Sequence, residues 1–158
     1  MAADTLNSND HNIVELLDAF KGASDRKRRS FLPILEQRVD ELLGLGPSVM
    51  STFSSEDNDW TAGFILQLIH KRDEDFIKSN LNCEDLSWFS SPSDVDFDYS
   101  LLQQALLSER YEEADRLTSS KLKELSGEKA VSRGYVYFSE VASISGIDLL
   151  TLDRLWTV

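Results

Sequence analysis

At 158 residues and a net charge of −12, the chain is long enough to bury one core or two small ones and is ill suited to a nucleic-acid backbone, where binding depends on Lys and Arg displacing counterions. Its 41% hydrophobic and 28% charged content is ordinary for a globular protein, and no apolar run reaches the roughly 18 residues that span a bilayer. The acidity is spread out, net −7 over residues 1–91 and net −5 over 92–158, so anionic surfaces are repelled along the whole length.

The first element expected is a short amphipathic helix over 12–20, with Ile13, Leu16, Leu17 and Phe20 at i, i+3, i+4 and i+7 and Gly22 as its stop. A second runs from about Asp25 to Leu43, with Phe31, Ile34 or Leu35, Val39, Leu42 and Leu43 apolar, Pro33 either within its second turn or dividing it, and Gly44-Leu45-Gly46-Pro47 as the break. Val49, Met50 and Phe53 are expected to begin a third helix. After a polar gap, 60–70 carries a buried stripe of Phe64, Ile65, Leu68 and Ile69, and Phe76, Ile77 and Leu81 mark one more short helix. The stretch 82–98, rich in Ser, Asp and Asn and holding Pro92, reads as a linker, with a domain boundary near Pro92.

Beyond it, Ser100-x-x-Gln103 has the form of a capping box opening a helix through Leu107. Tyr111 to Leu125 forms a second helix that buries Ala114, Leu117 or Thr118, Leu122 and Leu125, with Gly127 suited to a left-handed end. Residues 134–141 alternate like a strand but have no second strand to pair with, so an extended loop leaning on helices is expected. Ser145-x-x-Asp148 caps the last helix, in which Leu149, Leu152, Leu155 and Trp156 share one face. The fold class is therefore all-α, with no repeat period.

Few constellations carry chemistry. Asp94-x-Asp96-x-Asp98 has the alternating carboxylates of a calcium loop but places Tyr99 where glycine is needed and Ala105 where the bidentate Glu belongs, so a solvated acidic stretch is the expectation. His11, His70 and Cys83 are scattered and lack the paired spacing of zinc ligands. One cysteine excludes an internal disulfide, and the acidic start Met1-Ala2-Ala3-Asp4 has neither a secretion signal's layout nor a transit peptide's. Arg26-Lys27-Arg28-Arg29 is expected to be the solvated side of a helix. With no nucleophile elbow, phosphate-cradling loop or histidine–carboxylate pair, the chain is not expected to be an enzyme.

Tyr99, Leu102, Leu106, Tyr111, Ala114-Asp115 and Thr118, then Ser126-Gly127, the aromatics Tyr135 to Phe138 with Glu140-Val141, and Asp148-Leu149 through Asp153 to Leu155-Trp156 follow one another in a spaced order. In that order the stretch Tyr99 to Trp156 resembles the Genomes Uncoupled Four family of tetrapyrrole-binding proteins. Ser145 stands where the family has proline, and the family's later Phe-Gly-Phe-Ser-Val-Gln segment does not follow. Residues 11–80 loosely resemble the extra helical domain of cyanobacterial members. Two domains are thus expected: an N-terminal helical bundle over 1–91 and an incomplete tetrapyrrole-binding-type core over 92–158.

The resemblance implies reversible, non-covalent binding of protoporphyrin IX or Mg-protoporphyrin IX, with no tightly bound cofactor and no resident metal, and stimulation of magnesium chelatase in chlorophyll synthesis through contact with its large porphyrin-binding subunit. A tetrapyrrole is a flat apolar plate edged by carboxylates, so Tyr135, Val136, Tyr137 and Phe138 are candidates to stack on it, and Lys129 and Arg133 to meet the propionates. Half of those aromatics would ordinarily be core residues anchoring the loop. Asp115 and Thr118 are read as fixing helix geometry and Trp156 as core. The alternative is a shortened family member acting as a protein–protein interaction module. A cyanobacterial cytoplasm or the plastid stroma is the expected location, without a transmembrane segment but with room for peripheral membrane contact.

Overall fold

In the computed structural model, which describes residues 12–158, the expected all-α architecture is present: ten α-helices and one 3₁₀ turn, with no strand among the described residues. Helix α1 (Ile13–Gly22) buries the four residues of its apolar stripe, and the Asn12 side chain caps it by accepting from the Val14 N–H at 3.3 Å. The single segment expected from Asp25 to Leu43 is two helices, α2 (Asp25–Gln37) and α3 (Val39–Gly44), parted at Arg38, whose φ of −104° and ψ of 19° leave the helical region. Pro33 lies inside α2, in its third turn, and the division falls five residues beyond it. Val49, Met50 and Phe53 are buried as a helix face would be, but Gly46–Met50 is a 3₁₀ turn. Gly46 in a left-handed conformation (φ +55°) and Pro47 without an N–H do not propagate a longer helix.

Helix α4 (Trp60–Arg72), capped by Asp59 accepting from the Thr61 N–H at 3.0 Å, runs through the middle of this first group. Its innermost residues are Thr61, Ala62, Ile65, Leu66 and Ile69; Phe64 and Leu68, expected in the buried stripe, are half-buried at its margin. Helix α5 (Phe76–Leu81) ends on Asn82 in the left-handed conformation. Phe20 sits at the centre, fully buried, with ring centroids 6.1 Å from Phe31, 5.7 Å from Trp60 and 5.8 Å from Phe64. The basic cluster divides. Arg26, Lys27 and Arg29 are exposed, whereas Arg28 turns inward to pair with Asp59 at 2.7 Å and to donate to the Phe20 and Lys21 carbonyls, tying α2 to α1 and α4.

The non-helical stretch 82–99 is closely attached. The Phe89 N–H donates to Gln103 Oε1 at 3.0 Å, and Gln103 Nε2 donates back to the Phe89 carbonyl at 2.8 Å. Gln103 is therefore spent on that strap and does not close the capping box expected for α6 (Ser100–Leu107); Asp98 accepts from the Ser100 N–H instead, at 2.8 Å. Phe89 packs against both buried clusters, the first just described and a second of Tyr99, Leu102, Ala105, Ala114, Leu152 and Leu155.

Helix α7 (Tyr111–Ser126) reaches Gly127, whose φ of +108° and ψ of 170° are open to glycine but are not the left-handed helical conformation expected there. Gly127 passes directly into a short helix, α8 (Glu128–Arg133). Of the extended loop expected over 134–141, only 134–137 is non-helical: Phe138–Val141 is a helical turn, α9, because Glu140 at its third position accepts from the Tyr137 N–H at 2.8 Å.

Helix α10 (Gly146–Thr157) is capped by Ser145, whose hydroxyl accepts from the Ile147 N–H at 3.2 Å. Its buried stripe is Asp148, Thr151, Leu152 and Leu155, offset from the expected one, which leaves Leu149 and Trp156 exposed. Trp156 is not core; it lies across α7 and donates Nε1–H to Thr118 Oγ1 at 2.9 Å. Where α4 passes the end of α10, a Cβ on Gly63 would lie 2.5 Å from the Val158 carbonyl carbon, so only glycine permits this approach.

Candidate functional site

Helices α8 and α9 and the turn between them bring three of the six expected site residues, Arg133, Tyr135 and Tyr137, into contact. Arg133 ends α8, Gly134 (φ +88°) reverses the chain, and Tyr135 and Tyr137 fold back over the guanidinium. The Arg133 Cζ lies 3.8 Å from the Tyr137 ring centroid and 4.8 Å from that of Tyr135, both cation–π distances. The two rings meet edge to face, centroids 5.4 Å apart at 88°, with hydroxyls 3.4 Å apart, a contact that holds the Tyr135 hydroxyl above its ordinary pKa.

Arg133 Nη2 donates to the Tyr135 carbonyl at 3.0 Å and to Glu140 Oε2 at 2.5 Å. Glu140 is thus the hub of the turn: the Tyr137 N–H first, then the Arg133 hydrogen bond and charge, outweigh desolvation and hold its carboxyl below the usual range. Phe138, which opens α9, is 95% exposed, and Tyr135 and Tyr137 are 53% and 50% exposed. These rings are not the core anchors that composition alone favours. Val136 is half-buried, and Lys129 is exposed one turn before Arg133, close enough for its charge to act on Glu140. Val131 and Val141 extend the apolar surface of the same two helices and lie outside the sequence-based set. Glu140 lies outside it too, although an acid three residues after Tyr137 is a readable signal for a helix-starting side chain.

The remaining candidates are dispersed. His70 Nε2 faces Ser108 Oγ at 3.2 Å, Cys83 is half-buried with its thiol pushed up by burial, and His11 lies outside the described residues. Asp94, Asp96 and Asp98 are exposed, and Asp94 accepts from the Ser145 hydroxyl. Among the described residues no group of three or more His, Cys, Asp or Glu is placed to hold a metal ion. Asp115 is exposed on α7, and Thr118 donates to the Ala114 carbonyl as it receives Trp156. A groove of about 690 Å³ beside α10 is lined by Pro92, Ile147, Leu150, Thr151 and Arg154 among others, and one of about 450 Å³ lies between α4, α5 and the end of α6. Neither includes a residue of 129–141.

Residues 92–158 match the GUN4-like family model. Helices α6 to α10 and the whole aromatic turn fall within the GUN4-like segment. The chain is 45% identical over 58 residues to the chloroplastic tetrapyrrole-binding protein of Arabidopsis thaliana, covering 37% of this chain and 22% of that protein. It is 29% identical over 147 residues to the Ycf53-like protein of Synechocystis, covering 92% of this chain and 63% of that one, a likeness that extends across the N-terminal helices. To a ycf53 protein of Pyropia yezoensis it is 32% identical over 92 residues, 57% of this chain and 38% of the relative. The chain spans less than two thirds of the length of these relatives. No helix among the described residues is long and apolar enough to cross a membrane.

Proposed function

We propose that this protein binds a tetrapyrrole, protoporphyrin IX or its magnesium form, reversibly and without catalysis, on the aromatic turn between α8 and α9. The observation that carries this reading is a fully solvated phenyl ring, Phe138, beside two half-solvated tyrosines inside the GUN4-like segment. Aromatic surface held in water by a fixed turn loses hydration when a flat apolar partner covers it. Lys129 supplies an exposed cation on the same side of the chain as Arg133, suited to a propionate.

In this reading the described part of 1–91 is an N-terminal helical bundle and 92–158 a tetrapyrrole-binding-type core. The loaded protein stimulates magnesium chelatase by contact with its large porphyrin-binding subunit, in a plastid stroma or a cyanobacterial cytoplasm. The name and the likeness of the Arabidopsis relative support the ligand class.

Titration with protoporphyrin IX, read by quenching of Trp60, Trp88 and Trp156, tests the proposal: saturable quenching is expected. Phe138→Ala is expected to weaken binding roughly tenfold, as loss of one stacked ring does, while shifting stability by less than about 0.5 kcal/mol because the ring packs on nothing. Quenching absent from wild type would favour the interaction-module reading, for which exposed Ile147 and Leu150 on α10 offer a docking face.

A further inference from the structure

The cation best placed to meet an acidic ligand at the aromatic turn is already engaged. Arg133 and Glu140 form a half-buried ion pair, their side chains 21% and 20% exposed, and a single carboxylate oxygen, Oε2, accepts from both Arg133 Nη2 at 2.5 Å and the Tyr137 N–H at 2.8 Å. The same guanidinium stacks on Tyr137 and Tyr135 and donates to the Tyr135 carbonyl. Charge pairing and ring placement therefore share one guanidinium: whatever takes Arg133 from Glu140 also changes its stacking on the two rings, while Glu140 still accepts from the Tyr137 N–H that starts α9.

We propose that Glu140 is an internal counter-ion that a ligand carboxylate must displace from Arg133, so that the turn selects flat ligands bearing an acidic edge over neutral ones of the same shape. This rests on the tetrapyrrole reading above and deepens it by naming the residue that sets charge selectivity. The chemistry is competitive. A free carboxylate docking beside Glu140 would place two like charges around one guanidinium, whereas one that replaces Glu140 recovers the Arg133 bond and leaves Glu140 to Lys129, whose charge already reaches it. A neutral plate gains nothing from Arg133 and leaves the pair closed.

The test compares protoporphyrin IX with its dimethyl ester on the full chain, by tryptophan quenching, for wild type, Glu140→Gln, Arg133→Gln and the double variant. Glutamine keeps the size of Glu140 and an oxygen for the Tyr137 N–H, so the turn is preserved while the competing charge is gone. Glu140→Gln is expected to bind the diacid at least threefold tighter and the ester within twofold of wild type, and to have no effect on the diacid once Arg133 is glutamine. Equal tightening of both pigments, or unchanged or weaker diacid binding by Glu140→Gln, overturns the counter-ion role while leaving pigment binding standing. Loss of ester binding in Glu140→Gln shows that the carboxylate merely orders the turn and also overturns it. Failure of both pigments to quench wild type and every variant sinks the tetrapyrrole reading itself and the counter-ion with it.

Discussion

Phe20→Ala is expected to destabilise the fold by about 3–5 kcal/mol, the usual cost of removing a buried phenyl ring. Phe20 is fully buried, and its ring touches Phe31 of α2 and both Trp60 and Phe64 of α4, so one truncation opens a cavity where three helices meet. Those neighbours cannot collapse into the space freely. Trp60 is held from outside by Arg28, which lies 5.8 Å from its ring and pairs with Asp59. A thermal melt followed by circular dichroism is expected to show a midpoint lowered by roughly 10 °C. Phe20→Leu, which keeps much of the volume, should recover more than half of the loss. A melt for Phe20→Ala within 2 °C of wild type would show that α1 is not integral to the first core.

The second large effect is expected at Asp148, a fully buried carboxylate in α10. Tyr99 donates its hydroxyl to Oδ1 at 2.7 Å, and the Asp94 N–H donates to Oδ2 at 3.1 Å. Nearby, Thr151 donates to the Pro92 carbonyl at 2.6 Å, so this one face of α10 holds the segment 92–99 along its length. Burial alone would push the Asp148 carboxyl up; the hydrogen bonds from Ser93, Tyr99, Asp94 and Ser145 outweigh it and leave the group below its ordinary range. Desolvation, then the Asp148 hydrogen bond, raises the Tyr99 hydroxyl correspondingly.

Asp148→Ala strips the partner from a buried phenol and a backbone N–H, at an expected cost of about 2–4 kcal/mol; Tyr99→Phe removes one charge-assisted bond and is expected to cost about 1–2 kcal/mol. The sign of the pH dependence follows from the lowered carboxyl. Its contribution is present at and above the unfolded carboxylate value of about 4 and is lost as pH falls through the lower folded value. Urea unfolding at pH 7 and at pH 3 is therefore expected to show the gap between wild type and Asp148→Ala narrowing in acid. A gap that stays constant would mean the carboxylate contributes packing only.

Much of the fold was legible because apolar spacing survives folding unchanged. Ile13, Leu16, Leu17 and Phe20 predicted α1 and are its buried face, and Asn12 caps where a polar residue before an apolar stripe should. Three readings failed for a common reason, which is that a polar side chain was needed elsewhere. Gln103 straps Phe89 instead of closing a capping box, Arg28 turns inward while the rest of its cluster stays in water, and Asp148 with Thr151 occupies the buried stripe of α10, displacing Leu149 and Trp156 outward. The partners that decide these placements, Phe89 for Gln103, Asp59 for Arg28, Tyr99 for Asp148 and Pro92 for Thr151, lie 14 or more residues away, so local pattern carries no trace of them.

At the candidate site the residue types were readable and their engagement was not. A run of Tyr135 to Phe138 after Arg133 identifies aromatic surface and a cation, but whether rings point into a core or out to solvent depends on the turn at Gly134 and on Glu140 starting α9. By itself the sequence determined the all-α class, the acidic character and the family likeness of the C-terminal part, because these depend on residue type and near-neighbour spacing. Only the tertiary structure decided which polar groups are buried and which cation is already paired, because those depend on distances between residues far apart in the chain, set when the helices pack.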